Sequence, residues 1–409
     1  MKNNYPFFWI LLISFAGFFS SCKEKEISPA SDPFEGLVWE QVEQETRSST
    51  VHMMMWQGDP LINAYMKDYV APTLLDRYGI TLQVSSGQGK DIVNHALSEI
   101  EAGQKKGAID MVWINGETFF QLKQIQALKG KFTKLLPNSK YIDWDNPFIK
   151  YDFQQEIDGM ECPWGNVQLS FIYDQNRTPT PPASFEALED FIRQNPGKVT
   201  IPSEFTGMTI LKSWLIALAG QGTLDGAFDE EKYKKYSAVL WTKLRELKPF
   251  LWKEGQSVPN NLAQVHQLFS AGELVLTYSN NDAEVENKVK QGIFPASARS
   301  FVPDPGTIQN SHYLSILQNA PNYKAALVVI NFLISPEAQL EKAKADVWGD
   351  GTVLKTSLLP EEMRSKFDAL ANREYALNRA SIQSKAFAEL APEYMIRLYE
   401  DYRTQFLEQ

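Results

Sequence analysis

The residues best suited to chemistry are aromatic and polar side chains at the ends of apolar segments. Trp56, Trp113, Trp164, Tyr278 and Trp348 each stand at the end of a strand-like run or at a turn. An aromatic ring offers a flat face that stacks on a sugar or on an organic cation. Gln57, Ser86, Gly87, Asn115, Glu117, Asn166, Thr206, Gly207 and Asn280 lie beside them or in equivalent loops, and they supply amide, hydroxyl, carboxylate and backbone groups. Together these residues form the expected ligand-binding set. Asp59, Glu117, Glu161, Glu204 and Asp282 are the acids nearby, and acids beside indoles suit a cation such as thiamine or a polyamine. Any one of the aromatics is explained equally well by core packing. Their shared placement at segment ends is what favours a site.

Catalytic and metal motifs are missing. Gly255-Gln256-Ser257-Val258-Pro259 has Pro where a nucleophile elbow needs its second Gly. Residues 85–90 (SSGQGK) are followed by Asp91, so they do not make a P-loop. They read as a tight strand-to-helix turn whose amides can face an anionic part of a ligand. His52, His95, His266 and His312 are scattered, without a Cys/His cluster, so no metal and no cofactor are expected. Paired carboxylates stay open, because their test is a separation in space. A surface-anchored hydrolase, for example a glycan-degrading one, is therefore the alternative to a binding protein.

With 409 residues, 44% hydrophobic and 22% charged, the chain is expected to fold as two domains. Its net charge is −10, and residues 1–21 carry only Lys2, so the remainder is at −11. No basic stripe offers itself to nucleic acid. Residues 6–19 form an apolar run behind Lys2, of the length of a signal segment and too short to span a bilayer. Phe19-Ser20-Ser21-Cys22 resembles a bacterial lipobox, with Phe in place of the usual Leu. The expectation is a signal peptide over 1–21, lipidation at Cys22 and a polar tether over 22–40. The product would be an extracytoplasmic monomer, in the periplasm or at the cell surface, anchored to a membrane by lipid. Cys162 then has no disulfide partner and reads as a small buried residue.

The segments that must position the set alternate between strand and helix. Residues 51–56, 80–84 and 108–114 read as strands separated by helices, which predicts a mostly parallel sheet with ligand beyond the carboxyl ends of its strands. Residues 161–177 run from a turn into a strand, and the Pro-rich 178–182 cannot be helical. The chain is expected to enter a second lobe there. The pattern then repeats, with strands at 198–201 and 274–278 and further crossings at 294–305 and 347–351.

Four stretches carry a resemblance: 268–276 (LFSAGELVL), 332–343 (FLISPEAQLEKA), 169–188, and 110–117 (DMVWINGE) with 163–174 (PWGNVQLSFIYD). They are similar to the substrate-binding lipoproteins of bacterial ABC importers, family-1 solute-binding proteins of the type II periplasmic-binding-protein fold, and most to the YnjB-type branch. The resemblance covers nearly all of the chain after the tether. It implies a two-lobed α/β fold, each lobe a mostly parallel sheet flanked by helices. The first lobe would comprise 41–162 and 306–346, the second 169–298 and 354–409, with hinge crossings at 163–168, 299–305 and 347–353. It further implies hinge closure on one small solute. That solute would be an organic cation or a sugar, delivered to ABC permease subunits served by a separate ATPase. Ferric-binding relatives use adjacent tyrosines, and no Tyr-Tyr pair exists here.

Overall fold

The computed structural model describes residues 33–408. The expected signal peptide, Cys22 and most of the tether lie outside the described residues. The first lobe is built on β1 (Thr50–Met55), β2 (Thr81–Ser86) and β3 (Met111–Ile114), with β1 central and parallel to both neighbours. In β1 alternate side chains are buried, so Val51, Met53 and Met55 face the core. Pro60 begins the following helix, and Asp59 caps it by accepting from the Leu61 and Ile62 amides. Next come β4 (Tyr151–Asp152) and β5 (Gln155–Glu156), a short hairpin, and then β6 (Glu161–Gln168), buried throughout.

The second lobe holds β7 (Ser170–Asp174), β8 (Leu276–Ser279) and β9 (Ala298–Phe301). β7 is central and antiparallel to both, which corrects the expectation of a parallel sheet. Alternation fixes strand direction only where one helix joins neighbouring strands; here four α-helices separate β7 from β8. Residues 198–201 are not a strand, though they are extended and bonded through Lys198 and Val199 carbonyls to Val275 and Trp252.

β10 (Thr307–Ile316) links the lobes. Its end at residues 313–316 pairs antiparallel with β3, while Thr307 and Ile308 pair with β11 (Ala386–Phe387), whose Phe387 lies in the second core. Along its length β10 also pairs with β6 at seven positions, from Gln309 opposite Gln168 to Ser315 opposite Glu161. In that ladder Gly165 faces His312 and Pro163 faces Tyr313, so Trp164 is an extra residue. Such a bulge re-aims a side chain and tolerates a neighbouring Pro that cannot donate.

Three boundaries differ from expectation. Phe34, placed in the tether, is buried in the first core against Phe132 and Tyr323. Residues 299–305 stay with the second lobe through the β7–β9 pairing, and β10 makes that crossing. The 347–353 loop folds back on the first lobe because Lys342 and His312 both bind Asp350. Leu354, Leu359 and Phe367 also belong to the first core, whereas Ala376 onward joins the second. The last crossing therefore lies between Phe367 and Ala376.

Asp282 pins that last crossing. It is 1% exposed, binds Arg373 Nη1 at 2.6 Å and Arg379 Nη2 at 2.5 Å, and accepts from the Gln168 amide at 3.2 Å. Burial alone would raise its carboxyl, but the Arg379 and Arg373 guanidiniums outweigh that and hold it well below the usual carboxylate range. A depressed folded value gives stability that is present above the unfolded carboxyl range and lost as pH falls through the folded one. Asp282→Ala should cost about 3–5 kcal/mol, the penalty for a buried charge left without its partner. Urea melts at pH 7 and pH 3 check this, and the mutant deficit should shrink only toward the most acidic conditions.

Candidate functional site

Trp113 ends β3 and meets Trp56, which follows β1, at 6.4 Å between ring centroids. It also touches Trp164 at 5.3 Å and Trp348 at 5.7 Å. His312 lies below, stacked on Trp348 at 5.7 Å and 18° and within 4.9 Å of Trp113. The four tryptophans of the set thus come together as one aromatic wall on the first lobe. Trp164 and Trp348 are buried and form its backing, while Trp56 and Trp113 keep partly exposed faces. The wall is anchored by charge. His312 Nε2 is 3.1 Å from Asp350 Oδ2, and Lys342 binds the same oxygen while its ammonium sits 5.3 Å over Trp348. Burial would raise Asp350, but His312 and the Lys342 ammonium beside it hold it below its ordinary value. Gly165 makes room for this, since a Cβ there would lie 2.1 Å from Asp350 Oδ2.

The remaining polar set lies on both lobes. Asn115 and Glu117 start the Gly116–Gln124 helix of the first lobe, which touches the Pro392–Asp401 helix of the second. Glu204 caps the Phe205–Ala219 helix, and its Oε2 accepts from the Thr206 amide at 2.9 Å. Asn280 Nδ2 donates to Thr206 Oγ1 at 3.1 Å. Glu117 and Glu204 both act on the Tyr399 hydroxyl, so they approach one region from opposite lobes. Burial raises both carboxyls; Lys212 partly offsets this for Glu117, and the Thr206 amide for Glu204. Asn115 Oδ1, Glu204 Oε1 and Asn280 Oδ1 are buried without a hydrogen-bond partner among the described residues. Native proteins seldom leave such atoms unpaired except where another molecule meets them.

Other expected site residues serve the fold. Tyr278 is 1% exposed, and its hydroxyl donates to the Thr200 carbonyl inside the second core. Asn166 is saturated: it accepts from Gln309 and donates to the Phe148 and Asn310 carbonyls and to Ser311, tying β6 to β10. The Gly87 amide is bonded to the Met55 carbonyl, and Asp91 caps the next helix itself, so this turn presents no anion site. Ser86 is exposed at the end of β2, and the Gln57 carbonyl accepts from Asn63. Gly207 is needed for packing, as a Cβ would come 1.7 Å from the Pro202 carbonyl oxygen. Cys162 is buried, and burial followed by Glu161 pushes its thiol up, which disfavours the reactive thiolate.

Sequence reading missed His312, Lys342, Asp350 and Lys212. A weak signal existed for Lys212, a lone charge in the run Ile210–Ile216 that is otherwise nearly apolar. Its ammonium binds Glu389 at 2.8 Å and sits 4.2 Å over the Phe153 ring. Among the described residues no group of three or more His, Cys, Asp or Glu is placed to hold a metal ion, and no helix is long and apolar enough to cross a membrane.

Trp164→Ala should lower stability by about 3–5 kcal/mol, since it empties the backing of the wall. A reduced urea midpoint at constant slope would show this, and an unchanged midpoint would place Trp164 outside the core.

Residues 61–370 match the family model described as bacterial extracellular solute-binding protein. Protein YnjB of Escherichia coli (strain K12) is 38% identical over 336 residues, 81% of this chain and 86% of that protein. Among solved structures, the TpPotD lipoprotein of Treponema pallidum superposes with a TM-score of 0.64 at 12% identity, over 88% of this chain and all (100%) of that one. A spermidine/putrescine ABC transporter substrate-binding protein, PotD of Streptococcus pneumoniae, gives 0.60 at 16% identity, over 87% of this chain and 100% of the other. The two structural likenesses show the two-lobed fold. With three quarters of its length matched and a relative of this identity, the chain belongs to the family of bacterial extracellular solute-binding proteins.

Proposed function

We propose that this protein captures a small organic cation in the cleft between its lobes and delivers it to the permease of an ABC importer. The observation that carries the reading is the trio of buried, unpartnered acceptors, Asn115 Oδ1, Glu204 Oε1 and Asn280 Oδ1, on facing walls. Beside them stand two partly buried carboxyls, Glu117 and Glu204, and the partly exposed rings of Trp56 and Trp113. Acceptors, carboxylates and indole faces together call for a ligand rich in donors and positively charged. A sugar would satisfy the amides but leave the carboxylates without a counter-charge. The family is extracytoplasmic, and a lipid anchor at Cys22 would hold the protein beside its permease. Proteins of similar fold named for spermidine and putrescine agree with a cationic ligand.

The hydrolase alternative has less support. Asp152 and Glu161 are sealed from solvent, and Glu117 and Glu204 sit on opposing lobes, so no fixed carboxylate separation is set.

A thermal-shift panel of thiamine, putrescine, spermidine and neutral sugars tests the reading. A cation at a hundredfold excess over its Kd should stabilise the protein by roughly 2.7 kcal/mol. Stabilisation by sugars alone would refute a cationic ligand. Glu204→Gln should weaken binding of the stabilising cation by about 1–3 kcal/mol while leaving the ligand-free melt unchanged.

The raised Glu117 and Glu204 carboxyls also set a pH dependence. Each is protonated to a higher pH than an ordinary glutamate, and a bound cation favours the ionised form, so binding should release protons. Affinity should fall as pH drops from 7 toward 5. Calorimetry in two buffers of different ionisation enthalpy reads this directly, and net proton uptake on binding would contradict it.

A further inference from the structure

Lys288 belongs to the Glu284–Lys290 helix of the second lobe, yet its ammonium reaches across the cleft. Its side chain is only 7% exposed. Nζ lies 2.8 Å from Asp59 Oδ2 of the first lobe and 3.1 Å from Glu284 Oε1 of its own helix. Asp59 stands at the mouth of β1 immediately after Trp56-Gln57-Gly58, and a Cβ on Gly58 would fall 2.4 Å from Trp56 Cζ2. The Trp56 ring therefore folds over this loop, and it also meets Trp113 on the aromatic wall. A carboxylate from each lobe beside an indole is the composition that takes up an ammonium group. Here an ammonium of the protein already holds that place. Asp59 also caps its helix through Oδ1, and His266 Nδ1 approaches Glu284 at 3.9 Å.

We propose that Lys288 is a specificity-determining residue: its side chain fills a cation subsite formed by Asp59 and Glu284 at one end of the cleft and so bars solutes that carry a further ammonium there. The inference rests on the reading of the cleft as a cation site. On this reading a short or singly charged cation would be held by Glu117 and Glu204 alone, whereas a long polyamine would bring a further amine to the place that Lys288 occupies. Removing the Lys288 charge leaves two largely buried carboxylates unpaired, and a solute amine restores the balance.

Isothermal titration of the full protein with putrescine and spermine decides the matter, using wild type, Lys288→Met, Lys288→Arg and the double variant Lys288→Met/Asp59→Asn. Circular dichroism melts confirm that each is folded. Lys288→Met should bind spermine at least tenfold more tightly than wild type, Lys288→Arg should match wild type, and the double variant should lose the gain. If Lys288→Met does not fold, Lys288→Gln is judged by the same criterion. A folded variant whose spermine affinity stays within twofold of wild type overturns the proposal, since its carboxylates then take a proton instead of an amine. If wild type binds putrescine and the variant gains nothing, the cation cleft stands and Lys288 has no such role. If wild type binds neither amine but the variant gains spermine, the assignment of Lys288 stands and the wild-type ligand is of another kind.

Discussion

The antiparallel ladder between β6 and β10 is the constraint on which the rest depends. β6 runs from the first core toward the second and β10 runs back, so each lobe is defined by which end of the ladder it packs on. Local features hold the ladder rigid. Asn166 spends its whole amide on Gln309, Ser311 and two carbonyls, and Gln168 reaches Thr307 and the Lys385 carbonyl. A saturated buried amide is costly to disturb, because any lost partner leaves an unpaired polar atom in a dry place.

The bulge at Trp164 connects this hinge to the site. One extra residue in β6 turns the indole into the first lobe, where it backs Trp113 and Trp348. Facing it across the ladder, His312 is held by Asp350, itself held by Lys342. The buried Lys342–Asp350 pair would be unfavourable if either partner were missing, but together with His312 it holds three indoles in place. The hinge strands, the charge triad and the aromatic wall are thus one packed unit, and the partly exposed faces of Trp56 and Trp113 are its working surface.

Contacts flank the cleft on both sides. Lys288 joins Asp59 on one, and Asn287 binds the Trp348 carbonyl beside it. On the other, the β4–β5 hairpin leaves the first lobe and places Phe153 in the second core, while Gln154 bonds the Glu389 carbonyl. Phe153 and Gln154 both have positive φ, at 47° and 64°, uncommon for residues with side chains; their burial and bonding compensate. Among the described residues, Asn115 Oδ1, Glu204 Oε1 and Asn280 Oδ1 are acceptors without a hydrogen-bond partner.

Much of this was legible in the amino-acid sequence because it depends on local rules. The β-α-β order of the first lobe follows from hydrophobic period, from Asp59 and Pro60 at a helix start and from the Pro-rich lead into the second lobe. The gathering of Trp56 and Trp113 follows from their places at the ends of neighbouring parallel strands. Tertiary structure alone decided which aromatics face the cleft: Tyr278 and Trp113 look alike at strand ends, but only packing between distant segments buries the first and leaves the second a free face. It also decided charge. Lys212, Lys288, Lys342 and Asp350 are ordinary surface residue types until the fold removes water from them, and their partners lie 4 to 229 residues away along the chain. Local sequence determines the elements; desolvation, which depends on the whole packed chain, determines which of their side chains do chemistry.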